Sequence, residues 1–241
     1  MLAVITIAAA VAPPAVGAGP RVGTPLTPEQ AGRLSGALYR DYLQSGARLQ
    51  VEIPARSGTP RRLSGRIDWH LHLATATLNR PLAPSEAARM LLWSPSTVLE
   101  GGVPGLASAV RAAGHPGAVW VASRLTPTTS AFDSVLALLN GLASTKPENP
   151  LLLQQGKARY LGLSPIDGRR LEGYRSGSLT FWLSADGTIR RVSARVNAYG
   201  RPVQIDLLHH GRERIPVPAK AAVVAITAVP LLQSRLARTL R

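Results

Sequence analysis

The chain contains no cysteine. That excludes disulfides, thiolate metal sites, cysteine nucleophiles and a lipid-attachment cysteine. It is also short of carboxylates, with 13 Asp and Glu against 28 Lys and Arg, and no two acids pair up as an acid and a base. Asp133, Glu148, Asp167, Asp186 and Asp206 each sit where a cap, a turn or a strand edge accounts for them. No Gly-x-Ser-x-Gly elbow, Ser-x-x-Lys pair or phosphate-binding loop occurs, so the motifs of nucleophilic and phosphoryl-transfer chemistry are missing. Aromatics make up only 5% of the residues and do not interleave with basic ones. That leaves no base-stacking platform and argues against nucleic acid as a partner. No apolar run is long enough to span a bilayer, because Pro13-Pro14 interrupt the best one.

The net charge is +15, carried almost wholly by arginine. The arginines are scattered, which fits solvated faces. A charged partner, if there is one, would be phospholipid headgroups or an acidic wall polymer. Apolar content of 45% supplies a substantial core.

Residues 1–18 form an apolar segment of signal-peptide length. Leu2–Val11 would be the h-region, and Val16-Gly17-Ala18 places small residues before a cleavage point. No Lys or Arg precedes the run, which fits an inefficient signal or a trimmed membrane helix; an apolar N-terminal arm packed on the domain is the alternative to export. Residues 19–26 read as a linker, 27–218 as one domain and 219–241 as an apolar and basic tail.

Thr27-Pro28-Glu29-Gln30 starts a helix that runs to Leu43, with Ala31, Leu34, Leu38 and Tyr42 on one face. Leu49, Val51 and Ile53 alternate as a strand. So do Ile67, Trp69, Leu71 and Leu73, with Asp68, His70 and His72 between them. Met90–Leu99 and Ala118–Arg124 are further apolar segments. Ser130 opens a second helix, apolar on more than one side, and Asn149-Pro150 opens a short third. Residues 158–208 then alternate as about five strands, broken at Asp167-Gly168, Ser176-Gly177 and Asp186-Gly187, where turns need positive φ. Runs of strands on either side of a helical insert predict an α+β fold with an antiparallel sheet. In the tail, Leu232, Leu236 and Leu240 recur at i+4 beside Arg235, Arg238 and Arg241. This segment reads either as a basic helix on an anionic membrane or as a last element packed on the domain.

Two sets of histidines bear on metal binding. Asp68, His70 and His72 share a face of the predicted strand, and such a set can hold zinc or iron. The position where a His-x-His cupin strand needs Glu is Ala76, and polar residues on an outer strand face explain the pattern better. His209-His210 point to opposite faces of a strand. No catalytic residue, metal or cofactor is assigned.

The segment Gly162–Tyr174, with Ile166-Asp167-Gly168 at its turn, and the strand pair Phe181–Val192, with Asp186-Gly187 and Arg190-Arg191, resemble the LolA-like superfamily. Within it they resemble the LppX/LprG-type envelope lipoproteins of actinobacteria. The likeness covers roughly residues 30–218. It implies a curved antiparallel sheet, a half-barrel, covered on its concave face by helices that enclose a cavity for lipid or acyl chains. It implies no catalytic residues. The chain departs from that pattern in having no lipid-attachment cysteine.

The expectation is an exported, non-enzymatic binder or carrier of a hydrophobic ligand in the cell envelope. Trp69, Leu71, Phe132, Leu136, Leu139, Leu179, Phe181 and Leu183 would line the cavity. The alternative is a sensor or scaffold module of the same fold with a closed core. A metal-dependent enzyme using Asp68, His70 and His72 is the weaker third reading.

Overall fold

A computed structural model describes residues 22–55, 59–79, 88–196 and 199–237. Thr27 begins the first helix through a complete capping box. Its hydroxyl accepts from Gln30 N at 3.2 Å, and Gln30 Oε1 accepts from Thr27 N at 3.0 Å. The helix predicted to reach Leu43 is in fact two, α1 (Pro28–Ser35) and α2 (Ala37–Leu43). The carbonyl of Arg33, which an unbroken helix would offer to Ala37, accepts from Arg40 Nη1 at 3.1 Å. Ser35 Oγ takes the Gly32 carbonyl at 2.9 Å, a local bond that competes with helix continuation.

Among the described residues the strands form one curved, unclosed sheet. In chain order they are β1 (Thr24–Pro25), β2 (Gly46–Ile53), β3 (Arg61–Asp68), β4 (Leu73–Asn79), β5 (Arg89–Trp93), β6 (Thr97–Gly101) and β7 (Trp120–Arg124). Then come β8 (Arg159–Ile166), β9 (Arg169–Ser176), β10 (Leu179–Leu183), β11 (Ile189–Ala194), β12 (Val203–His210) and β13 (Val223–Ala225). Across the sheet the order is β1-β8-β9-β10-β11-β12-β2-β3-β4-β5-β6-β7-β13. Every neighbouring pair is antiparallel except β7 and β13, so the sheet is mixed rather than purely antiparallel. Three further α-helices, α3 (Leu106–Ala112), α4 (Ala131–Asn140) and α5 (Pro150–Gln155), complete an α+β chain.

The ladder β8–β12 follows the alternation of its sequence. Asp167 and Gly168 take φ of +48° and +73° between β8 and β9, Gly177 takes +58°, and Gly187 takes +80°. Upstream, two apolar segments divide. Ile67–Leu73 is not one strand but the junction of β3 and β4, with a turn over residues 69–72. The Asp68 carboxylate accepts from Leu71 N at 3.0 Å and His72 takes φ of +51°, a side-chain-capped turn that a period of two cannot reveal. Met90–Leu99 likewise folds back into β5 and β6 around Pro95, where Ser94 N donates to Thr97 O at 2.9 Å. Helix α3 has no counterpart in the sequence reading.

Helix α4 starts at Ser130, whose hydroxyl accepts from Asp133 N at 3.1 Å. Asp133 does not return the bond as a capping box would. Its carboxylate instead accepts from Thr126 N and Thr126 Oγ1, at 2.8 and 3.0 Å. Part of the predicted linker is β1, paired with β8, and Leu26 after it is buried. The tail is not a separate helix. Its β13 extends the sheet beside β7, and 3-10 turns over Pro230–Arg235 follow.

Side chains bury in two clusters. The main one joins Leu49, Val51, Leu63, Trp93, Phe181, Leu183 and Ile205 of the sheet to Phe132, Leu136 and Leu139 of α4. We call the face of the sheet that carries this cluster the inner face. A second cluster packs Leu106 and Val110 of α3 against Val121, Val224, Leu232 and Leu236. No helix among the described residues is long and apolar enough to cross a membrane.

Candidate functional site

Residues directly opposite across a ladder share a face, so the register lays out the inner face strand by strand. Phe181 faces Val192 and Tyr174, Ile205 faces Val51, Val51 faces Leu63 and Ala74 faces Trp93. Helix α4 lies directly on this face. Trp69 Nε1 donates to Leu139 O and Trp93 Nε1 to Leu136 O, both at 3.2 Å. Each indole thus satisfies its one donor while burying its rings.

Six of the eight residues expected to line a cavity meet in the main cluster: Trp69, Phe132, Leu136, Leu139, Phe181 and Leu183. Leu179 is half-buried and packs against them. Leu71 does not join. It is 59% exposed, because the turn at Asp68 takes the chain out of the strand alternation that would have turned it inward. Trp93 and Tyr174, both fully buried on this face, were missed. The alternation of Leu91 with Trp93 would have located the first of them.

The apolar face is interrupted by three charged residues near one another. Arg61 stands opposite Ile53, Arg89 opposite Leu78 and Glu100 opposite Leu91 and Val121. Arg89 Nη1 and Glu100 Oε1 pair at 2.7 Å, with both side chains nearly buried. Together the three hold the backbone of the tail. Both Glu100 oxygens accept from Ala237 N at 2.8 Å, Arg61 Nη1 donates to Ala237 O at 3.1 Å, and Arg89 Nη1 donates to Arg235 O. Hydrogen bonds to ionised groups are roughly twice as strong as neutral ones. No reading of the sequence pointed to this group, because its members lie on separate strands and in the tail.

A second polar group lies on the same face at β9. Tyr174 Oη donates to Glu172 at 2.6 Å, and Arg33 of α1 pairs with Glu172 at 3.1 Å. Burial, and then the bond to Glu172, push the Tyr174 hydroxyl well above the ordinary tyrosine range. At the far end of β12, Asp41 of α2 is completely buried, 3.4 Å from His210 Nε2. Burial raises its carboxyl to about 6, against the opposing pull of His210.

The histidines do not converge. His70 Nε2 lies 2.9 Å from Tyr42 O, His72 occupies the left-handed turn position, and Asp68 is committed to its turn. His209 is exposed while the His210 side chain is buried. Among the described residues no three His, Cys, Asp or Glu side chains are grouped to hold a metal ion. Of the tail arginines, Arg235 donates to Pro104 O at 3.1 Å, whereas Arg238 and Arg241, like residues 1–18, lie outside the described residues. On the opposite face of the sheet a shallow groove of about 360 Å³ is lined by Arg48, Ser64, Arg66, Thr75, Thr77 and Met90.

No protein-family model matches the chain, and no curated protein matches it. Among solved structures it is similar to an uncharacterized conserved protein from Thermus thermophilus, with 12% identity and a TM-score of 0.40, covering 80% of this chain and 94% of that one.

Proposed function

We propose that the protein is a non-enzymatic binder or carrier of a hydrophobic ligand, exported to the cell envelope, which takes lipid or acyl chains between α4 and a concave inner face of the sheet. One observation carries this reading. A single apolar surface runs from β10 across to β5, seven neighbouring strands, a width of about 29 Å at the usual strand spacing. Helix α4 has ten residues, a length of only about 15 Å. The rest of the cover comes from short helices, loops and the end of the tail beyond β13, none of which is a strand of the sheet. Such a face, mostly apolar with a few polar groups, suits an amphiphile. Trp69, Phe132, Leu136, Leu139, Leu179, Phe181 and Leu183 are the proposed contacts; Leu71 is not among them.

The test is to purify the protein from a lipid-containing host and extract it for mass spectrometry. A stoichiometric lipid, displaced by a fluorescent fatty acid, is the expected result. Recovery of none, with no uptake of the fatty acid, counts against the proposal.

The second reading, a sensor or scaffold module with a closed core, is favoured by the two indole bonds that tie α4 to the sheet. It predicts that α4 backbone amides exchange only by global unfolding, with or without lipid.

A further inference from the structure

The strongest signal outside the apolar cluster is the clamp of Arg61, Arg89 and Glu100 around the tail. Taking charged side chains out of water is costly, and apolar residues of similar volume often serve stability as well or better. Charges kept on an otherwise apolar face are therefore candidates for function. What these three grip together is one stretch of backbone, Arg235 to Ala237, after a run of 3-10 turns. The grip is side chain to backbone, whereas the strand ladder of the tail ends at Ala225.

We propose that this clamp is the head-group end of the lipid site, and that the tail is a displaceable plug standing in for an anionic head. The inference rests on the lipid-binding reading above and adds the ligand class, an amphiphile with a carboxylate or phosphate head. In the closed state the carbonyl oxygens of Ala237 and Arg235 occupy the two guanidiniums. An anionic oxygen makes the same bonds more strongly. Glu100 stays paired with Arg89, so the exchange of a carbonyl for an anionic oxygen falls chiefly on Arg61, which holds Ala237 O. The Ala237 methyl group is part of the main apolar cluster, so the position the plug vacates is continuous with the surface where an acyl chain would lie.

The experiment compares oleate, oleoyl lysophosphatidate and oleyl alcohol, which share a chain and differ in the head. Affinity is measured by displacement of a fluorescent probe from the full chain. The unaltered protein should prefer both anions to the alcohol by about tenfold or more, the value of one charge-assisted contact. Arg61→Gln should collapse that ratio, and Arg61→Lys should keep most of it. Ala237→Pro removes the N–H that Glu100 holds, and Leu236, at φ −69° and ψ 152°, already has the conformation that suits a residue before proline. Freeing the plug should raise anion affinity several-fold, since the competent state no longer competes with the closed one.

Circular dichroism establishes that each variant is folded, and the Lys and Pro variants carry the test if Arg61→Gln is not. Equal affinity for anions and alcohol in the unaltered protein and in Ala237→Pro overturns the clamp and leaves the lipid-binding reading standing. Binding of none of the three, even by Ala237→Pro, removes the lipid-binding reading and the clamp with it.

Discussion

Glu100 and Ala237 lie 137 positions apart in the chain, yet both oxygens of the one accept from the backbone N–H of the other at 2.8 Å. The contact fastens the end of the described tail onto β6, at the boundary between the two apolar clusters. Removing the carboxylate leaves the Arg89 guanidinium buried beside it without its ion pair. Glu100→Ala should therefore destabilise the fold by about 3 kcal/mol, the usual cost of stranding one member of a buried pair. Urea unfolding reads it as a lower midpoint. A change under about 1 kcal/mol would mean that the pair is solvated in solution.

Leu136 and Leu71 provide a matched contrast. Leu136 is fully buried, with its carbonyl accepting from the Trp93 indole, so Leu136→Ala should cost about 2–5 kcal/mol. Leu71 is exposed in its turn, and Leu71→Ala should stay within about 0.5 kcal/mol. Comparable losses at both positions would return Leu71 to the inner face.

Gly65 is required by a close approach within β3 and β4. A Cβ there would stand 2.1 Å from Thr75 O and 2.6 Å from the Ala76 Cα. Both obstacles are backbone, so the strands must separate to admit it. Gly65→Ala should cost more than about 2 kcal/mol, seen as a lower thermal midpoint. A neutral effect would contradict the β3–β4 register.

Asp41 gives the fold a pH dependence of its own. Burial raises its carboxyl from 3.8 to about 6, so the folded state binds this proton more tightly than the unfolded chain. Its contribution to stability is complete below pH 4 and is lost as pH rises through 6, a change of about 3 kcal/mol. Asp186, which its bond to Ser184 lowers to about 2, acts in the opposite sense, and only below pH 4. The measurement is the difference in unfolding free energy between the unaltered protein and Asp41→Asn from pH 4 to 7. The unaltered protein should lose stability relative to the variant across this range, and a flat difference would place Asp41 in contact with water.

The ladder β8–β12 was legible because its turn residues and its alternation agree. Asp167-Gly168 and Gly187 take the positive φ that their residue types favour. The β3–β4 turn was not legible. Ile67 to Leu73 keeps alternating straight through it, and only the Asp68 side chain, bonding to the backbone three residues on, breaks the strand. The burial of Phe181 and Leu183 follows from alternation along β10, and that of Phe132, Leu136 and Leu139 from the apolar faces of α4. The clamp could not be found, since Arg61, Arg89 and Glu100 belong to no sequence motif and lie on three separate strands. Only the register across β2–β7 shows that all three face inward.

The most direct test of hydrophobic-ligand binding is to photo-crosslink the full chain with a diazirine fatty acid and map the labelled peptides. The account predicts stoichiometric labelling in Phe132–Leu139 and Leu179–Leu183, competed by unlabelled fatty acid, with none at the exposed Leu71. Labelling scattered over the outer face and insensitive to competition would contradict it.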